Sequence, residues 1–424
     1  MSRLSDVDQQ RVLHPHAIVG HPKPPVIFVS GSGARLRDAD GNEYIDGTCG
    51  LWVCPVGHGR RELAEAARAQ MEKLEYYASF WEFSNEPSIE LASRLVDLAP
   101  PSIERVFYTN GGSEGTETAI KLARLAWHAS GAPERRLVLS RSNAYHGVSY
   151  AALEATGIAP LKEGFGGMPP DFVQLTAPYA FRGTTTDALI DELESAIASH
   201  GAERIAAFIG EPVIGVGGMI PPHDDYWPRV AEVLRRHGIL LILDEVVTGY
   251  GRTGTWFAAE HWSLEPDLVV TAKGLTSGYF PLGAVLIGGR VLEMLDGTAF
   301  RHGFTYNGHP TGCAVALENL AIIEREGLLD RARVLGDRLG SGLKQLESLP
   351  TVAEARWFGL MAGLELQVAD AADLAERIRA AGVIVRATQQ KLVLSPPLVI
   401  SEAEVDRIVE VIGQELDRTE ALAA

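Results

Sequence analysis

Cysteine is scarce. Cys49, Cys54 and Cys313 are the only three in 424 residues. The number is odd, and none stands in a close Cys/His pairing of the zinc-finger kind. A disulfide framework and a structural metal site are therefore not expected, and a reducing compartment is. Positive charge is in deficit: 38 Lys and Arg stand against 55 Asp and Glu, a formal net charge of -17. So acidic a chain repels nucleic acid and anionic membranes, and neither is expected as a partner. No uninterrupted apolar run approaches the ~18 residues of a membrane span. The polar start Met1–Asp8 lacks the apolar stretch of a signal peptide. A cytoplasmic location is the expectation.

What is present is an ordinary soluble composition, 46% apolar and 22% charged, in a chain too long for one simple core. The first fifty residues are broken by Pro15, Pro22, Pro24, Pro25, Gly31 and Gly33 and read as an extended arm with short strands such as Val26–Val29. Helical spacing appears over Arg61–Leu74 and Ile89–Leu98. Apolar runs and amphipathic stretches then alternate. Strands are predicted at Val106–Tyr108, Leu137–Leu139, Ala206–Ile209, Ile239–Leu243, Leu268–Thr271 and Ala284–Ile287. Helices are predicted at Glu114–His128, Asp187–Ser199 and Tyr226–Arg236, the last with Gly238 as its stop. This alternation predicts an α/β domain with a mostly parallel, buried central sheet covered on both faces. The last hundred residues mix a helical stretch over Cys313–Leu346, strands at Gly363–Leu366, Val383–Val385 and Lys391–Leu394, and a helix from Glu402 onward. They predict a smaller α+β domain. The division expected is an N-terminal arm over 1–58 that is part of the small domain, a large domain over 59–310, and the C-terminal small domain over 311–424.

Two strands deliver reactive groups. Lys273 follows the apolar run Val269–Ala272, where an ammonium is costly to bury. It is either a lysine that has reached solvent at the sheet edge or an amine of lowered pKa that forms an imine. Asp244 and Glu245 end another strand, and ligands of open α/β sheets gather at the carboxyl ends of strands. A pyridoxal phosphate site needs both an amine for the imine and a carboxylate to keep the pyridine nitrogen protonated. The alternatives for Asp244 are a helix cap or a metal ligand, and no His partner supports a metal. Asn110-Gly111-Gly112-Ser113-Glu114 joins a strand to a helix. It reads either as a phosphate loop or as a plain turn with Ser113 as the cap. It lacks the lysine of a Walker A loop and has no G-x-G-x-x-G. Tyr145-His146-Gly147 follows a strand after a short loop and offers an aromatic face, for a flat cofactor or for the core. Glu211 also follows a strand. The segment Gly303–Pro310 is rich in turn formers and hydroxyls.

In this order the motifs resemble the class III (ω-amino-acid, amine:pyruvate) aminotransferases, over nearly the whole chain from Asp38–Asp46 to Ser395–Leu398. The most specific stretch is Leu243-Asp244-Glu245-Val246-Val247-Thr248-Gly249-Tyr250-Gly251-Arg252-Thr253-Gly254, with Lys273 following 29 positions after Asp244. The resemblance implies PLP fold type I, the aspartate-aminotransferase-like fold, with pyridoxal 5'-phosphate as cofactor. It implies that Lys273 forms the Schiff base and then shuttles a proton. It implies further that Asp244 pairs with the pyridinium, that Val246 and Tyr145 cover the two ring faces, and that Gly112 and Ser113 hold the phosphate. His146 and Glu211 fall beside the cofactor. Thr305 would reach the phosphate of a neighbouring subunit, giving a homodimer or a dimer of dimers with sites across the interface. One departure is Gly115, where the family has Ala or Val; it is expected to loosen the helix start.

The substrates implied are an amine and a keto acid, exchanged by a ping-pong mechanism. Where the acetylornithine branch has an arginine, this chain has Val393. Arg386 instead stands at the position of the mobile arginine of pyruvate-dependent ω-transaminases; otherwise it is a surface residue at a strand end. Trp52 and Phe80, with Trp81, are expected to wall the small pocket and favour pyruvate. Racemases, an aminomutase and a decarboxylase share the Lys273 and Asp244 pattern and remain alternatives, as does a PLP-binding protein without catalysis.

Overall fold

A computed structural model describes residues 3–21, 23–165, 171–367 and 371–423. Its centre is a seven-stranded sheet. The strands are β1 (Ile103–Thr109), β2 (Leu137–Arg141), β3 (Phe172–Leu175), β4 (Ile205–Gly210), β5 (Leu240–Asp244), β6 (Leu268–Thr271) and β7 (Gly283–Gly288), in spatial order β1-β7-β6-β5-β4-β2-β3. The pairs β6–β5, β5–β4, β4–β2 and β2–β3 are parallel. The sheet is mixed at one end, because β7 runs antiparallel to both β6 and β1. That reversal leaves β1 pointing the same way as β2 to β6. The carboxyl ends of six strands therefore open on one edge.

Successive residues of a strand face opposite sides, so a sheet covered twice needs apolar residues at every position. Val138, Ala207, Ile209, Leu240 and Ile242 pack with Ala119, Ile120, Ala123 and Ala126 of helix Gly112–Ala129. Their neighbours Leu139, Phe208, Leu241 and Leu243 pack on the other face with Trp227 and Val230 of helix Tyr226–Arg236. A third cluster runs from Val269, Ala284 and Leu286 out to Leu335, Leu364, Leu392 and Ile408, joining the large sheet to the C-terminal part without a break.

Two four-stranded sheets complete the molecule. One is formed by Phe28–Ser32, Arg35–Asp38, Glu43–Asp46 and Val383–Ile384, the other by Val352–Trp357, Ala362–Leu366, Lys391–Leu394 and Arg386–Thr388. The run expected as a single strand over Val383–Val385 is divided. Val383–Ile384 pairs parallel with Ile45 and Asp46, and after Val385 the chain crosses to pair Arg386 with Val393. The helical stretch over Cys313–Leu346 is two helices, Pro310–Arg325 and Leu328–Gln345. The break is Gly327 at φ +62°, a conformation costly for any residue with a Cβ. The arm is not wholly extended: Arg3–Arg11 is helical.

Gly115 has a packing reason rather than a loosening effect. A Cβ built there would lie 2.7 Å from Val270 Cγ1, because helix Gly112–Ala129 presses on β6 at that point. Alanine is the better helix former. Even so, Gly115→Ala should lower the thermal midpoint by about 1–3 °C, since Val270 is branched and fully buried. In a Val270→Ala background the same change should raise it. A higher midpoint for Gly115→Ala alone would contradict this account.

Candidate active site

The open edge of the large sheet gathers the reactive groups. Lys273 lies two residues beyond β6, at the start of a single 3-10 turn, with φ at +41°. Residues with side chains avoid that region, so the turn must be held by its surroundings. Asn319 of helix Pro310–Arg325 does so. Its amide donates to the carbonyls of Gly274 (2.8 Å) and Leu275 (3.0 Å), and its own oxygen accepts from the Ser277 hydroxyl at 2.6 Å. Gly274 lets the turn pack against Tyr250, whose hydroxyl accepts from Thr271 at 2.6 Å. Among the described residues, no acceptor lies within hydrogen-bonding distance of Lys273 Nζ, which faces the ring of Trp52 at 5.5 Å from its centroid. Burial brings the Lys273 pKa down to about 8, against the opposing pull of Asp244 and Glu211 and with help from Arg386.

Asp244 closes β5 and is buried. Its carboxylate accepts from His146 Nδ1 at 2.8 Å and from the Val246 N–H at 3.1 Å. The neighbouring Glu245 points the other way, as alternation requires. It accepts from the N–H groups of Ala258 (3.0 Å) and Ala259 (2.8 Å) and from the Thr248 hydroxyl, and burial raises its pKa to about 7. Glu211, after β4, accepts from the N–H groups of Tyr145 (3.0 Å) and Gly215 (2.9 Å), and burial raises its pKa too. One oxygen thus ties down the loop that carries Tyr145 and the other the turn that follows Glu211 itself. His146 has one further buried nitrogen, Nε2, without a partner.

The sequence left Ser113 as either cap or phosphate donor. The structure places Gly111 at the cap position, with no side-chain cap, and starts the helix at Gly112. The first backbone bond of that helix is from the Gly115 N–H to the Gly111 carbonyl at 3.0 Å, so the N–H groups of Gly112, Ser113 and Glu114 come before any intrahelical acceptor. Glu114 accepts from Asn110 through both its N–H (2.8 Å) and its amide (3.0 Å), which fixes the loop. Ser113 Oγ accepts from Val148 N–H at 3.2 Å. Val246 methyl carbons lie 3.1 Å from where a Gly112 Cβ would sit, so the loop and Val246 are in contact.

Trp52 is buried and has two cations over its ring: Lys273 Nζ and the Arg386 guanidinium carbon, the latter 4.9 Å from the centroid. It belongs to an apolar group with Val213, Val216, Met219, Val247, Met361 and Val393, against which Tyr145 packs. Burial lowers the pKa of Arg386 and raises that of Tyr145, and each group feels the other's charge. Phe80 and Thr305 belong to a second group. Phe80 fills the space beside Gly303, and the Thr305 carbonyl accepts from the Tyr76 hydroxyl. Thr305 is exposed, among the exposed aromatics Tyr77, Trp81, Phe83 and Tyr306. Asn319 was not singled out from the sequence, although a lone amide within an apolar helix was a visible signal.

An amine without a hydrogen-bond partner, a buried carboxylate held by an imidazole, and an open helix start beside a glycine fit pyridoxal 5'-phosphate. Lys273 suits its aldehyde, Asp244 its ring nitrogen, and the 111–114 loop its phosphate.

Comparison with known proteins gives the same direction. The family model described as Aminotransferase class-III matches residues 18–416. The putrescine–pyruvate aminotransferase of Pseudomonas aeruginosa is 38% identical over 93% of this chain and 91% of its own length. The diaminobutyrate–2-oxoglutarate transaminase of Halomonas elongata is 39% identical over 91% of this chain and 89% of its own. Among solved structures, an (S)-enantioselective ω-transaminase from Thermomicrobium roseum superposes with a TM-score of 0.94 at 46% identity, covering 98% of each chain. The ω-transaminase of Pseudomonas jessenii in complex with PMP superposes with a TM-score of 0.97 at 37% identity, covering 99% of each chain.

The depressed Lys273 pKa has a readout. Cofactor-free protein mixed with pyridoxal 5'-phosphate and reduced with borohydride should be labelled at Lys273. The labelling rate should climb as pH rises through about 8, because only the neutral amine attacks. A rate that climbs only near the ordinary lysine range would show that burial does not tune this amine.

Proposed function

The chain belongs to the class III aminotransferases, PLP-dependent transaminases of fold type I, and from that premise we propose that it moves the amino group of an amine or ω-amino acid to pyruvate. The observation that carries the choice of acceptor is the placement of Arg386 on Trp52 beside Lys273. Arg386 is half-buried, and its lowered pKa has burial as its main cause and Tyr145 as the one opposing charge. A guanidinium so placed is available to clamp one carboxylate. Trp52 and its apolar neighbours would suit a methyl group beside that carboxylate. A second carboxylate, as in 2-oxoglutarate, would meet an apolar wall. Of the two relatives described above, one is named for pyruvate and the other for 2-oxoglutarate; the apolar wall and Arg386 support the pyruvate reading.

When bound, the cofactor supplies a conjugated, protonated ring that accepts the electron pair left when the C–H bond of the amino-bearing carbon breaks. In the proposal the protein does the rest. Lys273 takes that proton at Nζ and gives it back, a task suited to a pKa of about 8. Asp244, oriented by His146, would pair with the ring nitrogen. Val246 and Tyr145 cover the two ring faces, and Glu211 holds the Tyr145 loop in place. The N–H groups at the start of helix Gly112–Ala129 and the Ser113 hydroxyl hold the phosphate. Exposed Thr305 and its aromatic neighbours suit contact with a second copy, so that Thr305 of the partner subunit completes the phosphate site in a homodimer. Among the described residues no helix is long and apolar enough to cross a membrane, and Cys49, Cys54 and Cys313 are free thiols. We assign the enzyme to the cytoplasm on the thiols and the acidic charge.

The test is a half-reaction. The PLP form is mixed with a panel of amines without acceptor while the absorbance of the lysine-bound cofactor is followed. A productive donor should remove that band, and pyruvate but not 2-oxoglutarate should restore it. A band that returns without acceptor, or never falls, would favour racemase, mutase or decarboxylase chemistry. Lys273→Ala should abolish turnover. Arg386→Met should raise KM for pyruvate by about 100-fold, as expected for a lost charge-assisted clamp, and leave the rate with a carboxylate-free amine within about threefold. Unchanged KM for pyruvate would remove Arg386 from the site.

A further inference from the structure

The segment that carries Trp52 is strained. Cys49, Gly50 and Trp52 all have positive φ, +55°, +68° and +58°. Two of these three carry side chains that disfavour the region, so the turn does not hold itself. A buried carboxylate lies beneath it. Asp46 ends strand Glu43–Asp46 with no exposure to solvent. Its Oδ1 accepts from the Thr48 N–H (3.0 Å) and the Thr48 hydroxyl (2.9 Å). Its Oδ2 accepts from the Gly50 N–H (2.7 Å) and from His58 Nε2 (2.9 Å). The Thr48 hydroxyl also reaches the Gly50 carbonyl at 3.1 Å. Burial pushes the Asp46 pKa up, but His58 and the Gly50 and Thr48 bonds outweigh it and hold the carboxyl below its ordinary value, while Asp46 in turn raises His58. A carboxylate with four donors, two of them backbone groups of the turn, fixes the path of that turn.

We infer that Asp46, locked by His58, is a positioning residue for acceptor selectivity: by clamping the Thr48–Gly50 turn it sets where the Trp52 ring stands and so how large an acceptor side chain the site admits. The inference rests on the reading that Trp52 walls the small pocket. Asp46 bonds to the turn and to His58 and acts on substrate only through Trp52. Its four acceptor positions are filled from the turn on one side and from His58, twelve residues on, at the other. The turn continues directly into Trp52, whose N–H donates to the Thr48 carbonyl at 2.8 Å. A shift at Thr48 is therefore passed to the tryptophan through its own backbone.

The experiment measures kcat/KM of the holoenzyme for pyruvate and for phenylpyruvate with one fixed amine donor. The readout is the ratio of the two. Asp46→Asn keeps the volume but presents an NH2 group to donors that need an acceptor, and should lower the ratio about tenfold. Thr48→Val removes only the hydroxyl and should lower it about threefold. His58→Gln, which can still donate, should stay near wild type. In a Trp52→Ala chain, adding either change should move the ratio less than about twofold, because the ring being positioned is gone. If Trp52→Ala alone leaves the ratio unchanged, the pocket-wall reading falls. If Trp52→Ala changes the ratio while Asp46→Asn and Thr48→Val leave it alone, the wall stands and the positioning inference falls. Equal losses for both acceptors would mean that Asp46 only supports the fold, and would overturn the inference as well. Should Asp46→Asn fail to hold cofactor, Thr48→Val decides alone.

Discussion

The cost of keeping an amine out of water organises this molecule. Lys273 stands just past a strand whose four residues are all buried, faces an indole ring, and has no hydrogen-bond acceptor within reach among the described residues. An isolated ammonium there is unfavourable, and the protein answers by lowering its pKa to about 8 and by placing Asp244 and Glu211 near enough to oppose the shift without pairing with it. Direct contact with either acid would restore an ordinary, charged lysine. The separation therefore requires that both acids have other partners. Asp244 has His146 and the Val246 N–H, and Glu211 has two backbone donors.

Much of this was legible because the strand ends are. Leu268–Thr271 and Tyr226–Arg236 were located to the residue, the first because a four-residue, β-branched run between Pro266 and Gly274 is too short for a helix, the second because its apolar residues follow a 3.6-residue stripe. The direction of β7 was less visible. Only eleven residues, with one 3-10 turn, separate Thr271 from Gly283, too few for the helical crossover that a parallel neighbour needs. That length was a usable signal for the antiparallel end of the sheet. The helix at Arg3–Arg11 gave little sign, because Leu4 and Val7 are its only apolar residues.

The site was legible in its reactive residues and dark in its supports. Lys273, Asp244 and Arg386 are conspicuous because a charge beside an apolar run is conspicuous. Asn319 acts on carbonyls 44 and 45 positions upstream, which no local spacing encodes. Asp46 looks like one more acid in a polar arm until the fold encloses it. The same holds for Gly115, which reads as a weak helix residue and is in fact the point where a helix touches a strand.

Backbone strain connects these supports. Non-glycine residues with positive φ include Cys49, Trp52, Asn143, Tyr250, Lys273 and Ser277, and most adjoin the pocket or the turns beneath it. Each such residue raises the energy of the folded chain unless its surroundings overdetermine it. Buried polar side chains do this here, and each bonds at least two backbone groups: Asp46 beneath the Trp52 turn, Asn319 beneath the Lys273 turn, Glu211 between the Tyr145 N–H and the Gly215 N–H, Glu245 at the N–H groups of Ala258 and Ala259. A reactive upper layer thus rests on a polar lower layer whose hydrogen bonds are all internal. An apolar support of equal volume would pack as well but would leave the strained N–H and carbonyl groups without partners. That is the physical reason why four polar side chains lie buried beneath a pocket whose own walls are largely apolar.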